Sequence, residues 1–325
     1  MITLSNINKT FKVAKRGKGM GAAFNALFRR EYQYVHALDD VSFHIGEGEI
    51  VGYIGPNGAG KSTTIKVMSG ILVPDSGECV IMGYTPWKDR RKYVADIGVV
   101  FGQRTQLWWD VPIADSFDLL RDIYRIPAGE YRRNLAMLSE TLGLGEFINT
   151  PLRQVSLGQR MRAEIAASLL HSPKVLFLDE PTIGLDAVSK LNVRQFIKTV
   201  NRKKKLTVIL TTHDMNDIEA LTDRIILIGR GKILYDGSLQ AIKAKFHTYR
   251  MLNVTFSPHE IPVNIEHADL INWSGERVVY RLDTARTTVS KAIAELSGTL
   301  NILDMGGENP PVEEIIAGLY KEYGL

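Results

Sequence analysis

The sequence predicts an α/β fold in which helices cover a largely parallel sheet, followed by a second and smaller α/β domain. Its 325 residues are enough for about two domains. From residue 55 to about residue 242, apolar strand-like segments alternate with helical segments, which is typical of a parallel sheet with helical connections. This alternation stops after residue 246. We therefore place a first domain at residues 1–246 and a second at residues 247–325.

Cysteine content and hydropathy exclude several classes of protein. Cys79 is the single cysteine, so an internal disulfide cannot form, and no Cys/His cluster has the spacing of zinc ligands. The first ten residues lack the apolar stretch of a signal peptide, and no apolar run approaches the ~20 residues that cross a bilayer. We expect neither a secreted disulfide scaffold, nor a zinc finger, nor an integral membrane protein.

The net charge of +4 is unevenly distributed. Residues 247–325 contain six Lys and Arg against eleven Asp and Glu, so residues 1–246 contain 34 against 25. This asymmetry indicates two units with different partners. A basic first unit is compatible with binding to nucleic acid or to a membrane surface, but a solvated basic surface is the simpler interpretation.

Short apolar segments with glycine at their ends predict the strands of the first domain. They lie at residues 2–7, 41–45, 49–54, 97–101, 174–178, 206–211 and 224–229. Two successive helical segments within residues 112–142 interrupt the alternation of strands and helices. We expect these two segments to belong to a helical subdomain.

A basic insertion at residues 12–34 separates the first two strands and contains six Lys and Arg against one Glu. Its second half has Phe24, Leu27, Phe28 and Tyr32 at helical spacing, which predicts a short amphipathic helix. Three interpretations are open: a solvated loop, a helix packed on a partner protein or on anionic lipid headgroups, and a nucleic-acid contact.

The second domain has its own set of predicted elements. They are strands at 250–256 and 277–282, a helix near 286–296 and an apolar run at 299–303. A final helix should follow, with Asn309 as its N-cap and Pro310 at its first position. Nothing in this part of the sequence indicates a catalytic site.

Residues 55–63, GPNGAGKST, match the phosphate-loop pattern G-x-x-x-x-G-K-[ST] between a predicted strand and a predicted helix. Glycines let the backbone fold round an anion so that N–H groups and the helix N-terminus face phosphate. We expect Lys61 to reach the β- and γ-phosphates and the Ser62 hydroxyl to bind Mg²⁺. The residues predicted to hold the nucleotide are Gly55, Pro56, Asn57, Gly58, Ala59, Gly60, Lys61, Ser62 and Thr63.

A second segment, VLFLDEPT at residues 175–182, places two adjacent acids after a buried strand. Asp179 lies at the end of this strand and should bind Mg²⁺ through water. Glu180 is offset by one residue and points elsewhere, so it can act as general base on an attacking water. Adjacent acids after a strand are also common in structural settings. It is the combination with the phosphate loop that makes this pattern specific.

Four further features occur in order along the chain: Gln103 after a predicted strand, VSLGQ at 155–159, IGLD at 183–186 and TTHD at 211–214. With the two phosphate-site motifs, they resemble the ATP-binding subunit of an ABC (ATP-binding cassette) transporter. The resemblance covers residues 1–246. It implies a P-loop NTPase core, the ABC nucleotide-binding domain, with a helical subdomain at about residues 103–172.

The resemblance also implies partners. Two cassettes, in a homodimer or a heterodimer, would pair head to tail with ATP between them and drive separate permease subunits by closing and reopening. The protein would lie peripherally on the cytoplasmic face of the inner membrane. The stretch at residues 101–110, the basic insertion and the C-terminal extension look like those of bacterial exporter cassettes related to drug-resistance and polysaccharide-export ATPases.

The signature segment of the family, usually LSGGQ, has Val155 in place of Leu and Leu157 in place of the first Gly. The residues that remain, and that should contact ATP held by the opposite cassette, are Ser156, Gly158 and Gln159. The resemblance implies that His213 contacts the γ-phosphate and helps to orient the water, and that Gln103 is a ligand of Mg²⁺ that senses the metal and the water. It places Asp186 where the two cassettes touch.

An aromatic ring after the first strand stacks on adenine in this family, and that position corresponds to Phe11. Tyr32 and Tyr34 are alternatives because the insertion blurs the alignment. Trp108 and Trp109 follow Gln103, which the resemblance implies couples the nucleotide site to the permease. The two tryptophans are expected either to contact the permease or to belong to the ordinary core.

The alternative function is that of a soluble ABC ATPase acting on ribosomes or nucleic acid. Such proteins carry two cassettes in one chain or a long coiled coil, and this sequence has one uninterrupted cassette and no heptad run. A GTPase or small-molecule kinase would leave VSLGQ unexplained. Transport is therefore the favoured function, and nucleic-acid binding is not expected.

Overall fold

The computed structural model of the chain describes residues 1–14, 32–102, 104–246, 249–258 and 263–324. These residues form two compact units, Met1–Gly237 and Ser238–Leu325. Gln103 and residues 15–31, which contain most of the predicted amphipathic helix, lie outside the described residues.

A six-stranded sheet forms the centre of the first unit, in the order β5-β6-β7-β3-β8-β9. Its strands are β3 (Ile50–Ile54), β5 (Ile97–Phe101), β6 (Val175–Asp179), β7 (Thr207–Thr211), β8 (Arg224–Gly229) and β9 (Lys232–Ser238). The neighbours among β5, β6, β7, β3 and β8 all pair in parallel. The predicted α/β fold with a largely parallel sheet is confirmed, because these strands are continuous apolar runs that are buried on both faces.

A second sheet in this unit is antiparallel, in the order β2-β1-β4. It consists of β1 (Ile2–Ala14), β2 (Tyr32–Ile45) and β4 (Ser76–Ile81). The first two strands are longer than predicted and extend into the insertion, where Ala14 pairs with Tyr32. A helix that includes Tyr32 is therefore wrong at that residue, since cross-strand pairing determines its backbone conformation.

The helices of the first unit lie between these strands. They are α1 (Lys61–Met68), α2 (Arg90–Tyr93), α3 (Ile113–Tyr124), α4 (Ala128–Leu142), α5 (Leu157–Leu169), α6 (Ala187–Lys204) and α7 (Met215–Leu221), with 3₁₀ turns at Val94–Asp96 and Leu152–Gln154. The two helices predicted within residues 112–142 correspond to α3 and α4. Each ends at a residue in the left-handed conformation, Arg125 and Gly143 respectively.

Within its described residues, the second unit contains an antiparallel sheet in the order β11-β12-β10-β13 and three helices. Its elements are α8 (Leu239–Phe246), β10 (Tyr249–Phe256), β11 (Ala268–Trp273), β12 (Arg277–Asp283), α9 (Val289–Ser297), β13 (Ile302–Glu308) and α10 (Val312–Glu322). The core is formed mainly by alternate residues of β10 and β12 packed on α9, among them Phe256, Tyr280 and Leu296.

Two boundaries differ from those expected. The units divide after Gly237 rather than after residue 246, because α8 packs against α10 in the second unit. The last helix begins at Val312 with Pro311 at its N-cap, so Asn309 is not the cap and Pro310 is not the first helical residue. The reason is steric, since Pro310 precedes another proline and is thereby disfavoured in the helical region.

Among the helices in the described ranges, none combines the length and apolarity needed to cross a bilayer.

Candidate nucleotide site

The phosphate loop connects β3 to α1 at the carboxyl edge of the parallel sheet. Gly58 and Gly60 have φ angles of 79° and 115°, which glycine adopts without strain. A Cβ atom on Gly60 would lie 2.6 Å from the carbonyl oxygen of Ala37 on β2. Only glycine fits here, and the loop leads directly into the N-terminus of α1, where free backbone N–H groups favour an anion.

Lys61, the first residue of α1, is buried and turns back over the start of the loop. Its Nζ donates hydrogen bonds to the carbonyl oxygens of Gly55 at 2.7 Å and Pro56 at 3.1 Å. Burial lowers the pKa of Lys61, and the charges of Glu180 and Asp179 oppose that shift. The ammonium group is therefore held beside the loop and near two carboxylates.

Asp179 is positioned by the register of three parallel strands. Phe101 on β5 pairs with Asp179 on β6, and Asp179 pairs with Thr211 on β7. The hydroxyl of Thr211 donates to Asp179 Oδ1 at 2.5 Å, and the Ser62 hydroxyl lies 3.4 Å from the same oxygen. The structure thus brings together Ser62 and Asp179, the two predicted Mg²⁺ ligands that it describes.

Glu180 follows Asp179 and has the unusual φ of +56° for a residue with a side chain. Its backbone N–H donates to the carbonyl oxygen of Thr211 at 2.9 Å. Its Oε1 lies 2.7 Å from His213 Nε2. A Cβ atom on Gly102 would lie 2.4 Å from the Glu180 carbonyl oxygen, so the chain beside Gln103 passes close to this residue. The structure places the predicted base against the predicted γ-phosphate contact.

The signature residues form a second cluster at the start of α5. Ser156 is the N-cap: its hydroxyl accepts from Gln159 N–H at 3.2 Å, and the Gln159 side-chain oxygen accepts from Ser156 N–H at 2.8 Å. This reciprocal pair is a capping box. A Cβ atom on Gly158 would lie 2.6 Å from Ser189 Oγ, which donates to Asp186 at 2.7 Å. Gln159 therefore has a structural contact in its own chain, and Asp186 lies beside the signature.

The comparisons with known proteins agree with this geometry. The family model for ABC transporters matches residues 38–183. The ABC transporter ATP-binding protein NatA of Bacillus subtilis is 32% identical over 215 residues, which span 66% of this chain and 87% of that protein. The linearmycin resistance ATP-binding protein LnrL of the same species is 33% identical, over 70% of this chain and 73% of its own length. This chain belongs to the ABC transporter family.

One solved structure and one further relative are also similar to this ABC cassette. The ATP-binding cassette MJ0796, described as dimeric in a post-hydrolysis state bound to ADP and Pi, is 29% identical with a TM-score of 0.61. The alignment covers 74% of this chain and 99% of that one. The methionine import ATP-binding protein MetN of Geobacillus kaustophilus is 31% identical, over 82% of this chain and 75% of its own length. This ABC cassette binds ATP and hydrolyses it.

Some relatives are much longer than this ABC chain. It aligns with only 28% of the length of ABC transporter A family member 1 from Dictyostelium discoideum, at 30% identity. For the probable multidrug ABC transporter ATP-binding protein YbhF of Escherichia coli, the aligned part is 36% of that protein, at 35% identity.

The three aromatic candidates for adenine stacking divide between the two faces of the β1–β2 ribbon. Phe11 pairs with Val35, whereas Tyr34 pairs with Lys12 in the next register position. Successive residues of a strand point to opposite faces, so Phe11 lies on one face of the ribbon and Tyr34, with Tyr32, on the other. Phe11 is 37% exposed and has the Lys9 ammonium 5.9 Å from its ring centre. Phe11 and the two tyrosines therefore cannot stack on a base from the same side of the ribbon.

Sequence reasoning missed two residues of the ABC site because their roles depend on tertiary contacts. Thr211 belongs to the TTHD segment, yet only the pairing of β6 and β7 brings its hydroxyl to Asp179. Glu164 on α5 is buried and accepts hydrogen bonds from the Thr105 hydroxyl and from Gln106 N–H. Burial raises the pKa of Glu164, and these hydrogen bonds oppose the shift. Glu164 thereby fixes the segment that follows Gln103.

The Gly60→Ala variant should bind ATP about tenfold to a hundredfold more weakly, because a strained residue of this kind costs about 1–3 kcal/mol. Both the positive φ and the Ala37 carbonyl oppose a Cβ atom at this position. Titration with a fluorescent ATP analogue measures the change.

Gly83→Ala is the matched control, because Gly83 has a φ of 82° but no atom within 4 Å of its Cβ position. Circular dichroism verifies that both variants fold. Equal ATP affinity in the two variants would contradict this account of Gly60.

Proposed function

We propose that this chain is the ATP-hydrolysing subunit of an exporter, working as a pair of cassettes with separate permease subunits on the cytoplasmic face of the inner membrane. The observation that carries the proposal is the 2.7 Å contact of Glu180 with His213, beside Lys61, Ser62 and Asp179. The name of the linearmycin resistance relative supports export, and the name of the methionine import relative is the argument against it.

Glu180 acts as the general base in this proposal. Its carboxylate takes a proton from water while the water oxygen forms a bond to the γ-phosphorus, and the bond to the ADP oxygen breaks with its electron pair. His213, in contact with Glu180, holds the water and the γ-phosphate in line. Lys61 carries a positive charge to the β- and γ-phosphates, where negative charge develops.

The oxygen donors at this edge of the sheet fit a magnesium ion. Mg²⁺ is usually bound through one or two carboxylates, substrate phosphates and several waters. Ser62 and Asp179 supply a hydroxyl and a carboxylate on the same side of the loop, and Gln103 is the third predicted ligand. When bound, Mg²⁺ neutralises charge on the β- and γ-phosphates.

The signature cluster supports pairing of two cassettes. Ser156 and Gly158 lie at the N-terminus of α5, where hydroxyl and backbone N–H groups favour an anion. In the proposal, the γ-phosphate held by one chain contacts these groups of the opposite chain, with Gln159 and Asp186 at the same interface. The dimeric state of the solved relative bound to ADP and Pi supports this arrangement.

The Trp pair provides a candidate contact with the permease. Trp108 and Trp109 are 41% and 49% exposed, so neither is ordinary core. The Arg160 guanidinium stacks over the Trp109 ring at 5.5 Å. Exposed aromatic residues are enriched at protein interfaces, and this pair follows Gln103, which is expected to report the state of the nucleotide.

Glu180→Gln should retain ATP and slow its hydrolysis by a factor on the order of 10²–10⁴, the usual contribution of a general base. Glutamine has a similar shape but cannot take the proton. Phosphate release and retained nucleotide are measured on the same sample. A turnover rate near that of the wild type would remove Glu180 from this role.

Ser156→Arg should leave ATP binding by the single chain intact and prevent pairing, because the long cationic side chain replaces a small hydroxyl at the interface. Light scattering coupled to size exclusion, in the Glu180→Gln background with Mg-ATP, reports the pairing. Ser290→Arg adds the same charge at an exposed position and is the control. Pairing of the Ser156→Arg protein would exclude the proposed interface.

Removing both indole rings, Trp108→Ala with Trp109→Ala, should reduce recovery of a permease with the tagged chain from detergent-solubilised membranes of its own host. Val80→Ala, which shortens another exposed apolar side chain, should not. Mass spectrometry identifies the recovered proteins. Recovery of ribosomes without any membrane protein would favour the alternative, a soluble ABC ATPase, and unchanged permease recovery would exclude the Trp pair as the contact.

A further inference from the structure

Asp217, on the short helix α7, is a fully buried carboxylate that belongs to none of the motifs above. Its Oδ1 accepts a hydrogen bond from Arg194 Nε at 2.6 Å. Its Oδ2 accepts from the hydroxyl of Thr212 at 3.0 Å and from the hydroxyl of Thr182. A buried carboxylate is tolerated only when it is well paired, and here both oxygens are satisfied.

The two threonines connect Asp217 to the reactive side chains of the site. Thr182 comes two residues after Glu180, and Thr212 comes directly before His213. Both hydroxyls donate to the same oxygen of Asp217, so one atom ties the segment after β6 to the segment after β7. Glu180 and His213, which contact each other, are therefore only two residues and one residue from these attachment points.

Arg194 connects the same carboxylate to α6. Its guanidinium also lies 3.4 Å from Asp214 Oδ2, which pairs with Lys190 at 2.6 Å. Five residues before Arg194 on α6, Ser189 lies against Gly158 of the signature. The first turn of α6 therefore contacts the signature, and Arg194, further along the same helix, binds Asp217.

We propose that Asp217 is a positioning residue for ATP hydrolysis. By binding Thr182, Thr212 and Arg194, it keeps Glu180 Oε1 and His213 Nε2 in contact at 2.7 Å. The inference rests on the proposed roles of Glu180 and His213. Asp217 does not touch the nucleotide and acts only through these two side chains.

Asp217→Asn should lower kcat about tenfold to a hundredfold, since small misplacements of catalytic groups have effects of this size. One oxygen becomes an NH₂ group that faces donors and cannot accept from them. KM for ATP should change by less than about twofold, because the phosphate loop and Lys61 are untouched.

The decisive experiment is a double-mutant cycle with His213→Ala, measured as steady-state ATP turnover. If Asp217 acts through His213, then Asp217→Asn loses most of its effect in the His213→Ala background. An equal fold-loss in both backgrounds would indicate a merely structural role and overturn the proposal, as would a wild-type kcat for Asp217→Asn. Asp236→Asn is the matched control: it disrupts the Arg224–Asp236 pair, at 2.8 Å, and should leave kcat unchanged.

A second pair of variants covers the case in which Asp217→Asn does not fold. Thr212→Val replaces the hydroxyl with a methyl group and should lower kcat, whereas Thr212→Ser keeps the hydroxyl and should retain a kcat near that of the wild type. Equal turnover in these two variants would overturn the proposal. Wild-type turnover in both Glu180→Gln and His213→Ala would instead refute the proposed function itself, so the two failures are distinguishable.

Discussion

The parallel register of β5, β6 and β7 is the constraint on which the site depends. It sets Phe101, Asp179 and Thr211 level at the carboxyl edge of the sheet. Glu180 and His213 follow this edge by one and two residues, so their contact is a consequence of the register. A slip of one residue would send each side chain to the opposite face of its strand and would separate the carboxylates from the phosphate loop.

Charge balance at this edge explains why a lysine can be buried there. Lys61 loses hydration, which lowers its pKa, but two loop carbonyls and the carboxylates of Asp179 and Glu180 favour its charged form. A bound phosphate adds negative charge beside the same ammonium and favours the charged form further. Lys61 can therefore be buried and still carry its charge, because the phosphate of the substrate supplies further negative charge beside it.

The parts predicted from sequence are those encoded in contiguous residues. The phosphate loop holds its whole chemistry within residues 55–63, and strands such as β6 are continuous apolar runs. The hydrogen bonds of Thr211 and Asp217 depend instead on strand register and on helix packing, which no local pattern specifies. The extension of β1 and β2 was missed for a related reason: their outer residues are exposed on both faces and lack the alternation of a half-buried strand.

The departure of the signature from the family pattern has a structural counterpart. Leu157 stands where the family has glycine, and its side chain occupies space beside Gly184, where a Cβ atom would lie 2.7 Å from Leu157 Cδ2. Gly184 has a φ of 70°, so glycine is favoured there for both reasons. Gly158 packs on Ser189 next to this contact. One close approach joins the signature to Gly184, which precedes α6, and the other joins it to Ser189 at the start of α6. These elements should therefore move together in the proposed closure of two cassettes, and the leucine strengthens that connection within the chain.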